Sequence, residues 1–248
     1  MKDLVKLLFS PISSRYQELI RRVFYLETMV DHLVDPSAYI ESEEVGFNGQ
    51  KCRKIIFKEL IKLIQYDIIV ETGTWIGNTT GYMRDKSNLP IITCEINKQF
   101  HAIAQKRLKR FNNITYILKN STDFLSELFD TENEYSNILF YLDAHWYSHL
   151  PLEDEIRIIC NQYNGDFVIM IDDFEVPGDS GYGFDDYGSN KKLNIDNYFH
   201  IFEEYNLSSF YPRINSIEET GEKRGCIVLA NKRNTEKLIH AQSIYKIV

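Results

Sequence analysis

The chain has 248 residues, 44% of them apolar and 13% aromatic, with a formal charge of −8. This is the size of one large domain or a domain with an appendage, and the composition excludes a disordered chain. The acidic balance argues against a general nucleic-acid binder, which needs Lys and Arg clustered against phosphates, and no stretch approaches the ~18 apolar residues of a membrane helix.

Taken from the N-terminus, Leu4-Val5 and Leu7-Leu8-Phe9 stop at Pro11, too short for the core of a signal segment. Over 14–33 the apolar residues Tyr16, Leu19, Ile20, Val23, Phe24, Leu26, Met29, Val30 and Leu33 recur at helical spacing. That helix either packs on the domain or a second subunit, or covers a substrate. Asp35-Pro36 ends it, because the residue before a proline is pushed out of the helical region. A second amphipathic helix is expected over 51–66.

From there strands and helices alternate. Strands are expected over 68–70, 91–94, 114–118, 138–142 and 167–171. Helices fill the gaps over 79–86, 98–111, 123–129 and 152–163. Near-continuous apolar strands between helices mean a parallel sheet covered on both faces. Segments 208–214 and 226–230 read as an antiparallel hairpin. The expected fold is therefore α/β: a Rossmann-like, doubly wound, mostly parallel seven-stranded sheet with a C-terminal antiparallel hairpin and N-terminal helices. Its expected domains are an N-terminal helical appendage over 1–66 (lid or dimerisation element) and a Rossmann-like domain over 67–248. The stretch 177–194, rich in Gly, Asp and Tyr without a period, is expected as a long loop over the carboxyl edge of the sheet. The four scattered cysteines, Cys52, Cys94, Cys160 and Cys226, lack zinc-type spacing and read as reduced thiols in a soluble, cytoplasmic protein.

Ligands of an open α/β sheet sit beyond the carboxyl ends of its strands, so those ends carry the functional reading. The first expected strand runs out into Val70-Glu71-Thr72-Gly73-Thr74-Trp75-Ile76-Gly77, two glycines four apart behind a glutamate. The second ends at Glu95, where an acid can hold a ribose diol. A glycine turn with a ribose acid suits an adenosine-bearing cofactor. NAD would want the GxGxxG cradle for its pyrophosphate, which is missing; S-adenosylmethionine (SAM) has no phosphates, and its amino-acid end suits an acidic turn.

With these residues the chain resembles the class I methyltransferases over about 68–173, and more loosely to the hairpin. VETGTWIG is similar to their first motif, Glu95 to their second-strand acid, and Lys119-Asn120-Ser121-Thr122-Asp123 to their adenine-side loop. Within that superfamily Leu142-Asp143-Ala144-His145-Trp146 and Ile171-Asp172-Asp173 resemble the metal-dependent O-methyltransferases of the catechol, macrocin and cephalosporin-hydroxylase-like types. The resemblance implies that Asp143, Asp172 and Asp173 hold Mg²⁺ or Mn²⁺. It implies a donor pocket made by Glu71, Gly73, Thr74, Trp75, Gly77 and Thr79, with Glu95, Ser121, Thr122 and Asp143 completing it. Three oxygen ligands without cysteine independently favour a hard cation, although one or two of these acids would equally serve as helix or turn caps. His145 reads either as the general base beside the metal or as a packing residue; Ala144 is inserted relative to the catechol-type motif and its lysine is missing.

The implied activity is methyl transfer from SAM to a hydroxyl. The acidic, aromatic loop over 179–187, with Tyr182, Phe184 and Tyr187 for stacking and Asp179, Asp185 and Asp186 for hydroxyls, favours a sugar, nucleotide-linked in the related enzymes; its alternative is a solvated loop. Asn48-Gly49-Gln50 and Arg53 are candidates for closing over the donor. The rival readings are an iron-dependent hydroxylase, for which two histidines and one carboxylate would be expected, and a non-catalytic cofactor-binding subunit. Expected partners are a small-molecule acceptor, with neither nucleic acid nor membrane; a second copy of the chain is the alternative to a monomer.

Overall fold

The structure, a computed structural model, describes residues 42–130, 135–145, 150–188 and 191–247, with Val23 and Leu26. The chain divides into two compact units, Met1–Tyr39 and Ile40–Val248. Apart from Val23 and Leu26, the helix expected over 14–33 lies outside the described residues. Residues 40–66, assigned from sequence to the appendage, belong to the same unit as the sheet.

After a helical turn at Ser42–Val45 the described elements run α1 Lys51–Leu63, β1 Ile68–Thr72, α2 Asn78–Ser87, β2 Ile91–Glu95, α3 Lys98–Arg107 and β3 Ile114–Leu118. They continue with α4 Ser121–Asp130, β4 Asn137–Leu142, α5 Leu152–Gln162, β5 Asp166–Asp172 and α6 Ile195–Glu204. The C-terminal part holds β6 Ser208–Pro212, β7 Cys226–Ala230, α7 Lys232–Leu238 and β8 Ile244–Lys246. One sheet contains all the strands in the order β3-β2-β1-β4-β5-β7-β6-β8. The first five are parallel, and β7, β6 and β8 join antiparallel.

Strands β1 and β4 are buried along their whole length, as a central parallel strand must be when helices cover both faces. Chain order reverses between β1 and β4, and in open α/β sheets ligands bind beyond the carboxyl ends of the strands at such a reversal. The Rossmann-like expectation holds with one correction: among the described residues the sheet has eight strands, not seven. The added strand, Ile244–Lys246, pairs with β6 through Tyr211 opposite Tyr245. Three residues carry too little alternation to read from sequence, and the strand covers an edge that would otherwise be open.

Helices α6 and α7 are also additions to the sequence reading. Each starts at an asparagine whose side chain accepts a backbone N–H, Asn194 from Asn197 and Asn231 from Asn234. Helix α6 buries Tyr198, Ile201 and Phe202 at helical spacing, with the first and last against Phe174. In α1 the buried face holds Cys52, Ile56, Phe57 and Leu60, but also Arg53 and Lys54. Two cations on the inward face of a helix demand partners inside. No helix among the described residues is long and apolar enough to cross a membrane.

Candidate functional site

The turn after β1 is built from left-handed backbone. Gly73 and Gly77 sit at φ 84° and 83°, with Trp75 between them at φ 51°. A Cβ on Gly73 would overlap the carbonyl of Asp143, so the glycine lets the ends of β1 and β4 touch. A Cβ on Gly77 would come 2.6 Å from the Leu108 side chain, so this glycine lets the turn lie on the end of α3. The amides of Gly73 and Thr74 both donate to the Cys94 carbonyl, each at 3.0 Å.

Glu95, at the end of β2, is buried and faces this turn. Its Oε2 accepts the Trp75 N–H and its Oε1 the Asn97 N–H, both at 2.8 Å. Burial raises its pKa, and these amides oppose the rise. The Trp75 ring lies against Phe100, centroids 4.1 Å apart. Each carboxylate oxygen of Glu95 keeps lone-pair capacity for a further donor.

Glu71 points inward. It is opposite Thr93 in the β1–β2 register. Its Oε2 accepts the hydroxyls of Thr93 at 2.7 Å and Thr80 at 2.6 Å. Thr93 has spent its only proton on Glu71, so Thr74, 2.5 Å away, donates to Thr93. Burial pushes the Glu71 carboxyl up to about 7 against the pull of these hydroxyls. Thr79 faces the N-terminal side: its Oγ1 accepts the Phe47 N–H at 3.2 Å.

Ser121 is buried at the start of α4, and the Thr122 hydroxyl donates to Asn120 Oδ1 at 2.9 Å, the same oxygen that caps the Asp123 N–H. Beneath them lies Glu155, which the sequence reading missed. It is fully buried in the first turn of α5, and burial pushes it up to about 7 while the Ser121 and Thr72 hydroxyls pull it down. The only sequence signal for it is a glutamate one position before the apolar Ile156 on a buried helix face.

The three aspartates beyond β4 and β5 do not form one group. Asp143, His145 and Asp173 come together, with ligand-type atoms all within 4.8 Å of one another. Asp172 turns the other way. Its carboxylate pairs with the Arg53 guanidinium, accepts the Tyr141 hydroxyl at 2.5 Å and accepts the Asp173 N–H at 2.7 Å. Arg53, Tyr141 and Asp172 are each about 1% exposed. Arg53 also donates to the carbonyls of Arg224 and Gly225, the latter at 2.7 Å, so it ties α1 to the ends of β5 and β7 rather than closing over a ligand. Asp173 takes φ 54°, the left-handed turn that swings its side chain out of the strand's alternation.

His145 is 4% exposed, and neither ring nitrogen has a hydrogen-bond partner among the described residues; Nε2 lies 3.8 Å from Asp143 Oδ1. Burial lowers the His145 pKa and so favours the neutral imidazole. Desolvation, then the charge of Asp173, hold the Asp143 carboxyl well above the usual carboxylate range, with Arg53 pulling the other way. Trp146 lies outside the described residues.

The loop over 179–187 is pinned. Asp179 accepts the backbone N–H and hydroxyl of Ser216 at 2.8 and 2.5 Å, and the buried Tyr182 donates to the Ile214 carbonyl at 3.0 Å. Arg224 bridges Asp173 (2.8 Å) and Asp185, and Tyr187 donates its hydroxyl to Asp185. Arg224 and Asp185 thus border the acid cluster. Sequence offered no periodicity by which to find Arg224.

No protein-family model and no curated protein matches this sequence. Solved structures do match. An O-methyltransferase from Bacillus cereus in complex with SAH aligns at TM-score 0.55 and 16% identity, over 83% of this chain and 88% of that one. A Staphylococcus aureus protein assigned as a caffeoyl-CoA O-methyltransferase aligns at 0.53 and 15%, over 89% and 99%. The O-methyltransferase TomG from Streptomyces achromogenes, involved in tomaymycin synthesis and in complex with SAM, aligns at 0.51 and 13%, over 72% and 78%. At these identities the likeness establishes the fold, a Rossmann-like sheet of the methyltransferase type.

Proposed function

We propose that this chain is a SAM-dependent O-methyltransferase, assisted by a divalent cation, whose acceptor is a hydroxyl of a sugar, nucleotide-linked as in the enzymes it resembles. The observation that carries the reading is the placing of side chains about the β1–β4 reversal. On one side stand the glycine turn and the Glu95 carboxylate; on the other, one strand away, stand Asp143, His145 and Asp173. A methyl transferase needs that juxtaposition of donor site and acceptor site. The solved neighbours bound to SAH and SAM support it.

In this reading Glu95 takes the ribose hydroxyls on the lone pairs that Trp75 and Asn97 leave, and the Gly73–Gly77 backbone lies along the methionine end. Glu71 works from behind, holding Thr74, Thr80 and Thr93 in place under the turn. Ser121 and Thr122 sit at the start of α4 on the adenine side. A cation fits the acid cluster on two grounds: two carboxylates meet an imidazole there, and both nitrogens of that buried imidazole lack a partner among the described residues. A bound dication lowers the pKa of an acceptor hydroxyl and fixes its orientation. Asp185, joined to Asp173 through Arg224, and Tyr187, bonded to Asp185, border the acceptor side and suit the hydroxyls and face of a pyranose. Orientation of acceptor oxygen and donor methyl by these fixed groups supplies much of the rate. Iron-dependent hydroxylation is the weaker reading, since the cluster offers one imidazole rather than two.

The test is calorimetric titration of SAM and SAH into wild type and Glu95→Ala, with and without Mg²⁺ or Mn²⁺, followed by SAH production from nucleotide sugars. Wild type is expected to bind the donor, and the variant to bind it more weakly by on the order of tenfold or more. No binding at millimolar donor would refute the cofactor assignment.

A further inference from the structure

We infer that His145, not Asp172, completes the cation site with Asp143 and Asp173, and that this mixed nitrogen–oxygen set selects a transition-metal dication such as Mn²⁺, Fe²⁺ or Co²⁺ over Mg²⁺. The inference rests on the reading of the cluster as a cation site and names its ligands and metal class.

Asp172 is committed elsewhere. Its two oxygens serve Arg53, the Tyr141 hydroxyl and the Asp173 amide, all in a fully buried pocket. Turning it toward a cation would strip Arg53, itself 1% exposed, of its carboxylate. A buried guanidinium without its counter-charge is strongly unfavourable.

His145 has the opposite problem. It sits in the interior beside Asp143 with both nitrogens unpartnered among the described residues. Buried polar atoms are nearly always satisfied, so an orphaned imidazole facing two carboxylates points to a missing ligand. Ligand atoms bound to one ion at about 2.1–2.3 Å lie at most about 4.5 Å apart. The three ligand-type atoms lie within 4.8 Å of one another, and His145 Nε2 is 3.8 Å from Asp143 Oδ1, inside that span. Arg224 does not block it: a carboxylate has about four acceptor sites, so Asp173 can serve both the guanidinium and a cation. Mg²⁺ prefers an all-oxygen shell and keeps its waters, whereas imidazole suits Fe²⁺ and Zn²⁺, and the first-row dications from Mn²⁺ through Fe²⁺ to Co²⁺ bind mixed nitrogen–oxygen sites with rising affinity. An imidazole that coordinates through Nε2 is also no longer the acceptor's general base, so the inference moves that role away from His145.

The experiment uses the full chain stripped of metal with chelator. Mn²⁺ and Mg²⁺ are titrated calorimetrically into wild type, His145→Gln and Asp172→Asn. Pulsed electron paramagnetic resonance of the wild-type Mn²⁺ complex then reads nitrogen coupling directly and needs no variant. The expected result is an imidazole ¹⁴N coupling, Mn²⁺ binding weakened by on the order of tenfold or more in His145→Gln, and Mg²⁺ binding little changed by that substitution. In Asp172→Asn, if it folds by circular dichroism, Mn²⁺ affinity stays within about threefold of wild type.

Mn²⁺ binding without ¹⁴N coupling and without loss in His145→Gln would overturn the inference while leaving a cation site of oxygen ligands. Absence of any cation binding at millimolar concentration would overturn the metal-assisted reading as well, independently of the donor titration.

Discussion

Glu71→Gln tests the electrostatics under the glycine turn. The wild-type carboxyl is 1% exposed and is raised from 4.5 to about 7, chiefly by burial. A carboxyl with a raised folded-state pKa binds its proton more tightly in the folded chain than in the unfolded one. Its contribution to stability is therefore fully present below pH 4.5 and is lost as pH rises through 7. The full span corresponds to about 3 kcal/mol. Gln cannot ionise, and its Oε1 can accept both threonine hydroxyls as Glu71 Oε2 does. Any packing difference is the same at each pH and cancels when slopes are compared. Glu155, also raised to about 7, acts equally in both proteins and cancels too. Urea unfolding at pH 5 and pH 8 should show the variant losing about 2–3 kcal/mol less stability over that interval than wild type. Parallel pH profiles would mean that Glu71 is ionised in the fold at pH 5, and the burial argument would be wrong.

Two further substitutions probe the frame of the site. Arg53→Met removes the cation of a buried pair and leaves Asp172, among the described residues, with Tyr141 and the Asp173 amide; chemical denaturation should show a loss of about 3–5 kcal/mol, part of it recovered when Asp172→Leu is added. A loss below about 1 kcal/mol would contradict the buried pair. Gly73→Ala puts a side chain at φ 84° and into the Asp143 carbonyl, so thermal unfolding should report at least about 2 kcal/mol of destabilisation, together with weaker SAM binding; unchanged stability would show that β1 and β4 do not meet there.

The alternation of β1 to β5 with their helices was legible because the parallel strands are buried on both faces, and so read as short unbroken apolar runs such as Phe167-Val168-Ile169-Met170-Ile171. Glu71, Glu95, Asp143 and the Asp172-Asp173 pair were legible for the same reason: each polar residue ends or interrupts such a run. The hairpin β6–β7 followed from its two apolar segments. Strand β8 and helices α6 and α7 did not, being short or set by asparagine caps whose effect depends on what the helix face meets.

What sequence could not decide is where each polar side chain points. Asp172 and Asp173 are neighbours and look interchangeable, yet one faces a buried arginine 119 positions earlier in the chain and the other, turned by a left-handed backbone, faces His145. Glu71 follows the strand's alternation into the interior toward Thr93, while Glu95 faces the turn. The sequence by itself determined which elements form and where the acids stand along the chain, because burial periodicity is local. Only the tertiary structure decided their partners, because a buried charge is satisfied by whatever distant residue the fold brings to it.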